Sequence, residues 1–222
     1  MIKGILFDFD GTIADTTEII LTAFAYTVKT CLHRETTREE MLATFGLVIH
    51  DAFYMYTHDE AKITEMRNIY RAEHNRLHDE MIKIFPGVRK GIDKLKKQGI
   101  RIGIVTSKKS PMLKHGLSCL GLLDYVDVMV CADDVINGKP DPEPMRIAAN
   151  KLGLFAYECI AVGDSPFDIM SGKRAGMQTF AVNYTDLDKK RFVGEGEPDG
   201  WLNSLDELVD IIKNNFIEEV SK

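Results

Sequence analysis

The chain has 222 residues, a length that suits one large domain or a core domain with a smaller insert. Its 28 Lys+Arg against 34 Asp+Glu give a formal net charge of −6, which argues against a non-specific nucleic-acid binder because such proteins need a basic face. No apolar run approaches the length of a membrane span, and the first strand begins too early to leave room for a signal peptide. We therefore expect a soluble, cytoplasmic protein with no membrane or nucleic-acid partner; its oligomeric state stays open.

The first third of the chain combines one strand with a long helical block. Residues 2–7 predict a buried strand, because an apolar run precedes paired acids and a Gly-Thr turn. The stretch Thr36-Thr37-Arg38-Glu39-Glu40 offers a capping box at the start of a helix that Gly46 would end. Residues 51–81 are again helical in pattern. Residues 16–81 therefore predict an all-helical insertion, which we interpret as a cap domain.

From residue 82 onward the pattern alternates between strands and helices. The predicted strands cover residues 100–105, 125–131, 159–162 and 179–182. The predicted helices begin near residues 88, 111, 142 and 168, and a capping box at 204–207 precedes a C-terminal helix. Residues 185–200 are predicted to be a loop. This alternation indicates an α/β fold, a Rossmann-like, doubly wound parallel sheet formed by residues 1–15 and 82–222.

Polar side chains follow four of the predicted strands. They are Asp8 and Asp10, then Thr106 and Ser107, then Lys139, and finally Asp164 and Asp168. In an open α/β sheet, ligands bind beyond the carboxyl ends of the strands. A single acid at a strand end is commonly a helix N-cap, but four loops are unlikely to converge by chance. We therefore expect these residues to lie together at one edge of the sheet.

These residue types suit phosphoryl transfer. Mg²⁺ prefers oxygen ligands, and Asp8, Asp164 and the backbone carbonyl of Asp10 could supply them. A carboxylate can attack phosphorus, which makes Asp8 a candidate nucleophile. Thr106 and nearby backbone amides could hold the phosphoryl oxygens, and Lys139 could neutralise their charge. Asp10 would protonate the leaving oxygen and later deprotonate the attacking water.

The chain resembles the haloacid dehalogenase superfamily of phosphatases. Asp8-Phe9-Asp10-Gly11-Thr12 fits the DxDGT signature of that family, and Thr106 takes the place of its second-strand Thr/Ser. Lys139 within Gly138–Pro142 fits the third motif, and Gly163-Asp164 with Asp168 fits the fourth, GDxxxD. The second aspartate disfavours the dehalogenase branch, whose members lack it.

The resemblance implies a role for each matched residue. Asp8 would be the nucleophile and Asp10 the general acid/base, with Thr106 and Lys139 beside them. Asp8, Asp10 and Asp164 would bind Mg²⁺, and Asp168 would support the metal through water or hydrogen bonds. Phosphate-binding and substrate-binding contacts are expected from four further residues: Gly11, Thr12, Ser107 and, within the insertion, His50.

Three of these residues have alternative interpretations. Thr12 could cap the next turn, and the backbone amide of Ser107 could matter more than its hydroxyl. Asp168 could instead be an N-terminal helix residue that the helix dipole favours. The other histidines show no metal spacing connected with the strand ends.

The position of the helical insertion corresponds to a C1-type cap. Segments 36–46, 85–88 and 139–144 look most like phosphoglycolate phosphatases and their pyrophosphatase relatives. β-Phosphoglucomutases carry a cap histidine where this chain has Ile19 and Ile20, so a mutase is disfavoured but stays an alternative. A receiver-type phospho-acceptor module is a second alternative, although the motif order and the insertion argue against it. The expected function is a Mg²⁺-dependent phosphatase of a small phosphorylated metabolite or of pyrophosphate.

Overall fold

The computed structural model describes residues 1–45, 47–185 and 187–220, and it divides the chain into two compact units. The first unit combines Met1–Ala14 with Ile84–Lys222, and the second is Asp15–Lys83. The predicted end of a helix at Gly46 lies outside the described residues. Among the helices of the described ranges, none is both long enough and apolar enough to cross a membrane.

The strands of the described residues are β1 (Gly4–Phe7), β2 (Ala14–Asp15), β3 (Lys83–Ile84), β4 (Arg101–Val105), β5 (Val128–Val130), β6 (Cys159–Gly163), β7 (Gln178–Val182) and β8 (Gly200–Leu202). Six of them form a parallel sheet at the centre of the first unit, in the order β5-β4-β1-β6-β7-β8. All five pairings within the large sheet are parallel. Strand β1 is buried along its whole length between β4 and β6, which explains its uninterrupted apolar run.

Helices flank this sheet and also form the second unit. Those of the second unit are α1 (Thr17–Leu32), α2 (Arg38–Leu42), α3 (Ile49–Tyr54) and α4 (Glu60–Met81). Those of the first unit are α5 (Val88–Lys97), α6 (Ser110–Cys119), α7 (Glu143–Lys151), α8 (Pro166–Ala175) and α9 (Glu207–Val220). Leu6 of β1, Val105 of β4 and Met145 of α7 share one buried apolar cluster, which fixes α7 against the sheet. The predicted α/β fold is confirmed.

The second unit has its own apolar core. Phe24 of α1 stacks on Phe53 of α3 at 4.8 Å between ring centroids, and Ile63 and Met66 of α4 complete the cluster. The predicted capping box is present, because the Thr37 side chain accepts from the Glu40 amide and the Glu40 side chain accepts from the Thr37 amide. The predicted absence of strands between residues 16 and 81 also holds for the described residues.

The stretch 51–81, predicted to be helical in pattern, contains parts of two helices. α3 ends at Tyr54 and α4 begins at Glu60. Asp59 separates them, because its side chain accepts hydrogen bonds from the amides of Ala61 at 2.9 Å and Lys62 at 3.2 Å. This N-cap stabilises a helix start at a point where the apolar pattern alone continues.

Three predictions in the first unit differ from the structure at element ends. β5 covers only Val128–Val130, because residues 123–125 form a 3₁₀ turn where the strand was predicted to begin. Gly200–Leu202 forms β8 at the end of the predicted loop. The C-terminal capping box is not formed as predicted: the Glu207 carboxylate accepts from the Asn203 amide instead, and α9 begins only at Glu207.

Candidate active site

The turn after β1 places Asp8 at the carboxyl edge of the sheet. The Asp8 amide still donates to the Val162 carbonyl of β6 at 2.9 Å, so its buried side chain starts from a fixed strand position. Gly11 then turns the chain with a φ of 80°, and its amide donates to the Ala14 carbonyl. A Cβ atom at Gly11 would lie 2.1 Å from Oδ2 of Asp164. Only glycine therefore fits this approach between the two strand ends.

Three buried carboxylates meet at this edge. Asp8 follows β1, whereas Asp164 and Asp168 follow β6, the parallel neighbour of β1. One carboxylate oxygen from each lies within 4.8 Å of the others. The structure thus brings together three of the four acids that the sequence predicts as metal ligands.

Lys139 connects two of these carboxylates. Its Nζ lies 2.9 Å from Oδ1 of Asp8 and 2.5 Å from Oδ1 of Asp168. It also donates to the Val105 carbonyl at the end of β4, at 3.3 Å. Burial lowers the pKa of Lys139, but the Asp168 and Asp8 carboxylates outweigh burial and raise that pKa above its ordinary value. Lys139 is therefore a fixed positive charge.

Burial makes two of the three carboxylates, those of Asp8 and Asp164, hard to ionise. It raises the pKa of Asp8 to about 7, although the Lys139 ammonium opposes the shift, and the Asp168 charge adds to it. Burial and the charges of Asp168 and Asp8 likewise raise the pKa of Asp164 well above its ordinary range. Ionising both Asp8 and Asp164 therefore requires more positive charge than Lys139 supplies.

Asp168 binds both Ser165 and Lys139 at the start of α8. Its Oδ2 accepts from the Ser165 amide at 3.1 Å and from the Ser165 hydroxyl at 2.6 Å, while its Oδ1 holds Lys139. A Cβ at Gly163 would lie 2.3 Å from Cβ of Asp168, so this close packing needs glycine. Asp168 thus lies at the N-terminus of α8 and in the carboxylate cluster at once, and its role at the site stays a prediction.

Asp10 lies apart from the cluster of three acids and pairs with a lysine that the sequence did not single out. Nζ of Lys108 lies 2.7 Å and 2.9 Å from the two carboxylate oxygens of Asp10. The only sequence signal for Lys108 is its position two residues after Thr106. Since the neighbouring Lys109 is exposed, composition alone cannot distinguish the buried lysine from a surface one.

The predicted phosphate-binding residues differ in exposure. Thr106 is buried, and its hydroxyl accepts from the Lys108 amide at 3.2 Å. Ser107 is exposed at the end of β4. Thr12 is fully buried, and within the described part of the chain its hydroxyl has no hydrogen-bond partner. A side-chain cap by Thr12 is therefore not seen.

The loop after β7 also reaches this edge, which the sequence did not predict. The Tyr184 hydroxyl donates to the Thr12 carbonyl at 2.8 Å. The Thr185 hydroxyl donates to Oδ2 of Asp164 at 3.3 Å. Both residues follow a strand end, so the rule that identified the other site residues could also have found them.

His50 belongs to the second unit, where it lies on the surface of α3. Its ring nitrogens lie 3.0 Å from Asp51 and 3.1 Å from Glu60. The hydrogen bond with Asp51, followed by that with Glu60, raises the pKa of His50. The substrate contact expected of His50 stays a prediction.

Comparisons with known proteins identify the family. The profile of the haloacid dehalogenase-like hydrolases matches residues 5–182. A Clostridium perfringens protein provisionally named pyrophosphatase PpaX is 40% identical over 213 residues, which cover 96% of this chain and 98% of the relative. Pyrophosphatase PpaX of Bacillus cereus (strain G9842) is 36% identical and covers 96% of this chain and 97% of its own length. Among solved structures, CbbY of Rhodobacter sphaeroides in complex with xylulose-1,5-bisphosphate is similar, with a TM-score of 0.78, 25% identity, and coverage of 94% of this chain and 96% of CbbY.

The family profile spans β1 to β7 and therefore includes every strand end that contributes to the carboxylate cluster. The curated relatives match nearly the whole chain. This chain belongs to the haloacid dehalogenase-like hydrolases.

Proposed function

We propose that this hydrolase is a Mg²⁺-dependent phosphatase that acts through an aspartyl phosphate on Asp8. The observation that carries the proposal is the buried group of Asp8, Asp164 and Asp168 with Lys139 bound to two of its members. A carboxylate held beside a fixed ammonium can approach a phosphoryl group without prohibitive repulsion. The substrate is a small phosphorylated metabolite, such as phosphoglycolate, or pyrophosphate.

The donor set fits a hard divalent cation. With all four acids of the site ionised, the carboxylates exceed the ammonium groups of Lys108 and Lys139 by two negative charges. Asp8 and Asp164 would hold Mg²⁺ together with the backbone carbonyl of Asp10, and Asp168 would support it through water. When bound, Mg²⁺ would supply positive charge for the phosphoryl oxygens.

The chain's own side chains account for the remaining steps. Lys139 orients Asp8 and neutralises the phosphoryl oxygens, while Thr106 and backbone amides after β4 bind them. An oxygen of Asp8 attacks phosphorus, and the bond from phosphorus to the leaving oxygen breaks as Asp10 gives that oxygen a proton. Water then attacks the phosphorus, Asp10 takes a proton from the water, and phosphate leaves Asp8.

The second unit, Asp15–Lys83, would act as the cap that selects the substrate. The PpaX names of the two curated relatives support pyrophosphate as a candidate. The CbbY complex supports adding a sugar bisphosphate to the compounds tested, and isomer conversion without phosphate release would favour the alternative mutase function.

The decisive variant is Asp8→Asn, which keeps the size of the side chain but replaces the nucleophilic carboxylate by a neutral, weakly nucleophilic amide. Phosphate release would be measured from p-nitrophenyl phosphate, phosphoglycolate, pyrophosphate and xylulose-1,5-bisphosphate, with Mg²⁺ and with EDTA. We expect the wild type to need Mg²⁺, and we expect Asp8→Asn to lose turnover by at least about 10⁴-fold. The matched control is Asp124→Asn, at an exposed acid of the same unit. Wild-type turnover by Asp8→Asn would disprove the proposal.

A further inference from the structure

Lys108 and Asp10 form an ion pair that is built into the carboxyl edge of the sheet. The Lys108 side chain is only 6% exposed, against 23% for that of Asp10. Its Nζ hydrogen-bonds both oxygens of the Asp10 carboxylate and lies 5.4 Å from the ring centroid of buried Phe9. The Lys108 backbone is fixed as well, because its amide donates to the hydroxyl of Thr106. Hydrogen bonds therefore fix both the backbone and the ammonium group of Lys108.

The two buried lysines of the site bind different acids. Lys139 holds Asp8 and Asp168, whereas Lys108 holds Asp10. Lysines are almost never this buried unless they are paired. A carboxylate bound through both oxygens also loses the rotational freedom that an exposed aspartate keeps. Lys108 thus restrains the one acid that the cluster with Lys139 leaves out.

We propose that Lys108 is a positioning residue that holds the Asp10 carboxylate ready to accept a proton from the water that hydrolyses the aspartyl phosphate; this inference rests on the proposed function. In this step the water oxygen bonds to phosphorus and its proton passes to Asp10. The bond from phosphorus to Asp8 breaks, and its electron pair returns to the Asp8 carboxylate. Phosphate leaves, and Asp10 keeps the proton that it will give to the leaving oxygen of the next substrate molecule. A base must lie within hydrogen-bond reach of the water, which requires a fixed side-chain direction.

p-Nitrophenyl phosphate separates this step from the first. Its leaving group departs without needing a proton, so kcat/KM reports the attack by Asp8, whereas kcat includes hydrolysis of the aspartyl phosphate. We expect Lys108→Met to lower kcat and KM together by about 100-fold, with kcat/KM changed by less than about threefold. In rapid mixing, the variant should release one equivalent of p-nitrophenol per active site and then continue slowly.

Three variants control this experiment. Lys108→Arg keeps a cation and should restore kcat to within about tenfold of the wild type. Lys108→Gln keeps a donor of similar length without the charge and tests the inference if the methionine variant folds poorly. Lys109→Met alters the adjacent exposed lysine and should behave as wild type. The burst amplitude counts competent sites, so partial unfolding cannot imitate a lower kcat.

Several outcomes would overturn the inference. A raised KM at unchanged kcat would make Lys108 a substrate-binding residue instead. Equal losses in kcat and kcat/KM without a burst, or a kcat within about twofold of the wild type, would also reject it. The Asp8→Asn variant distinguishes failure of the proposed function from failure of the inference about Lys108. If it turns over substrate, the proposed function falls and the inference with it; if it is inactive while Lys108→Met shows no burst, only the inference falls.

Discussion

Gly11 shows how a single residue permits two strand ends to meet. Its φ of 80° and the 2.1 Å approach of Asp164 to a hypothetical Cβ both exclude a side chain. We expect Gly11→Ala to lower the free energy of unfolding by more than about 1 kcal/mol and to reduce turnover at least about 100-fold, because Asp164 must move. Urea unfolding and phosphate release would measure these effects.

Gly99→Ala is the matched control for that prediction. Gly99 has a φ of 75°, but no atom lies within 4 Å of the position that its Cβ would take. Gly99→Ala should therefore have the backbone strain of Gly11→Ala without a clash like that with Asp164. We expect it to lower the free energy of unfolding and to keep full turnover. Equal activity losses in the two variants would show that the contact with Asp164 does not matter.

The raised pKa of Asp8 predicts how the free energy of unfolding depends on pH. Its pKa is about 7 in the folded protein against an ordinary 3.8, so between these values the folded chain keeps a proton that the unfolded chain has released. With Mg²⁺ removed by EDTA, the contribution of Asp8 to the free energy of unfolding should therefore fall as pH rises from about 4 to about 7. Urea unfolding of wild type and Asp8→Asn across this range would test the sign, which is wrong if the two slopes coincide.

At the residue scale, the sequence could predict which side chains follow the strands, but it could not predict which of them form ion pairs. The sequence could place Asp8, Asp164 and Lys139 at one edge, because parallel strands deliver their following residues to the same side. It could not assign Lys108 to Asp10, because which of two adjacent lysines is buried depends on packing against Phe9 and the neighbouring strand. The catalytic roles of these residues stay predictions.

At the scale of the elements, α4 begins where it does because Asp59 caps its N-terminus, although the apolar pattern itself continues across this point. Asp59→Ala should lower the free energy of unfolding by about 1 kcal/mol, because the amides of Ala61 and Lys62 lose their acceptor. Asp59→Ser should recover most of this loss. Thermal unfolding would measure both variants, and an unchanged melting temperature in Asp59→Ala would show that the cap contributes nothing.

Element types followed from the apolar pattern, whereas element ends followed from individual polar contacts. β1, β4 and β6 are continuous apolar runs and were predictable. β8 was missed because it is three residues long and begins at Gly200, whose missing side chain makes room for the Phe180 ring. The pattern over residues 51–81 predicted helical structure only, and it did not place the break before Asp59.

For the whole molecule, the division into two units predicts that the insert can be removed. β2 and β3, which carry the chain into and out of residues 15–83, form one two-stranded sheet, so a short linker can join them. We expect a chain with residues 15–83 replaced by a Gly-Ser linker to fold and to keep its stabilisation by Mg²⁺. It should lose selectivity among phosphorylated substrates.

Circular dichroism, thermal unfolding with and without Mg²⁺, and the same substrate panel would test this expectation. Loss of cooperative unfolding would show that the first unit needs the insert to fold. Unchanged selectivity would show that the insert does not act as a specificity cap.

The central place of β1 in the sheet has a consequence for synthesis on the ribosome. β1 leaves the ribosome before the other strands of its sheet, yet its hydrogen-bonding neighbours are Arg101–Val105 and Cys159–Gly163. The residues from 15 to 83 make their core contacts locally and can fold in the meantime. During translation, the residues of β1 therefore lack their strand partners until at least Val105 has emerged, and in this interval they offer an apolar segment that a chaperone can bind.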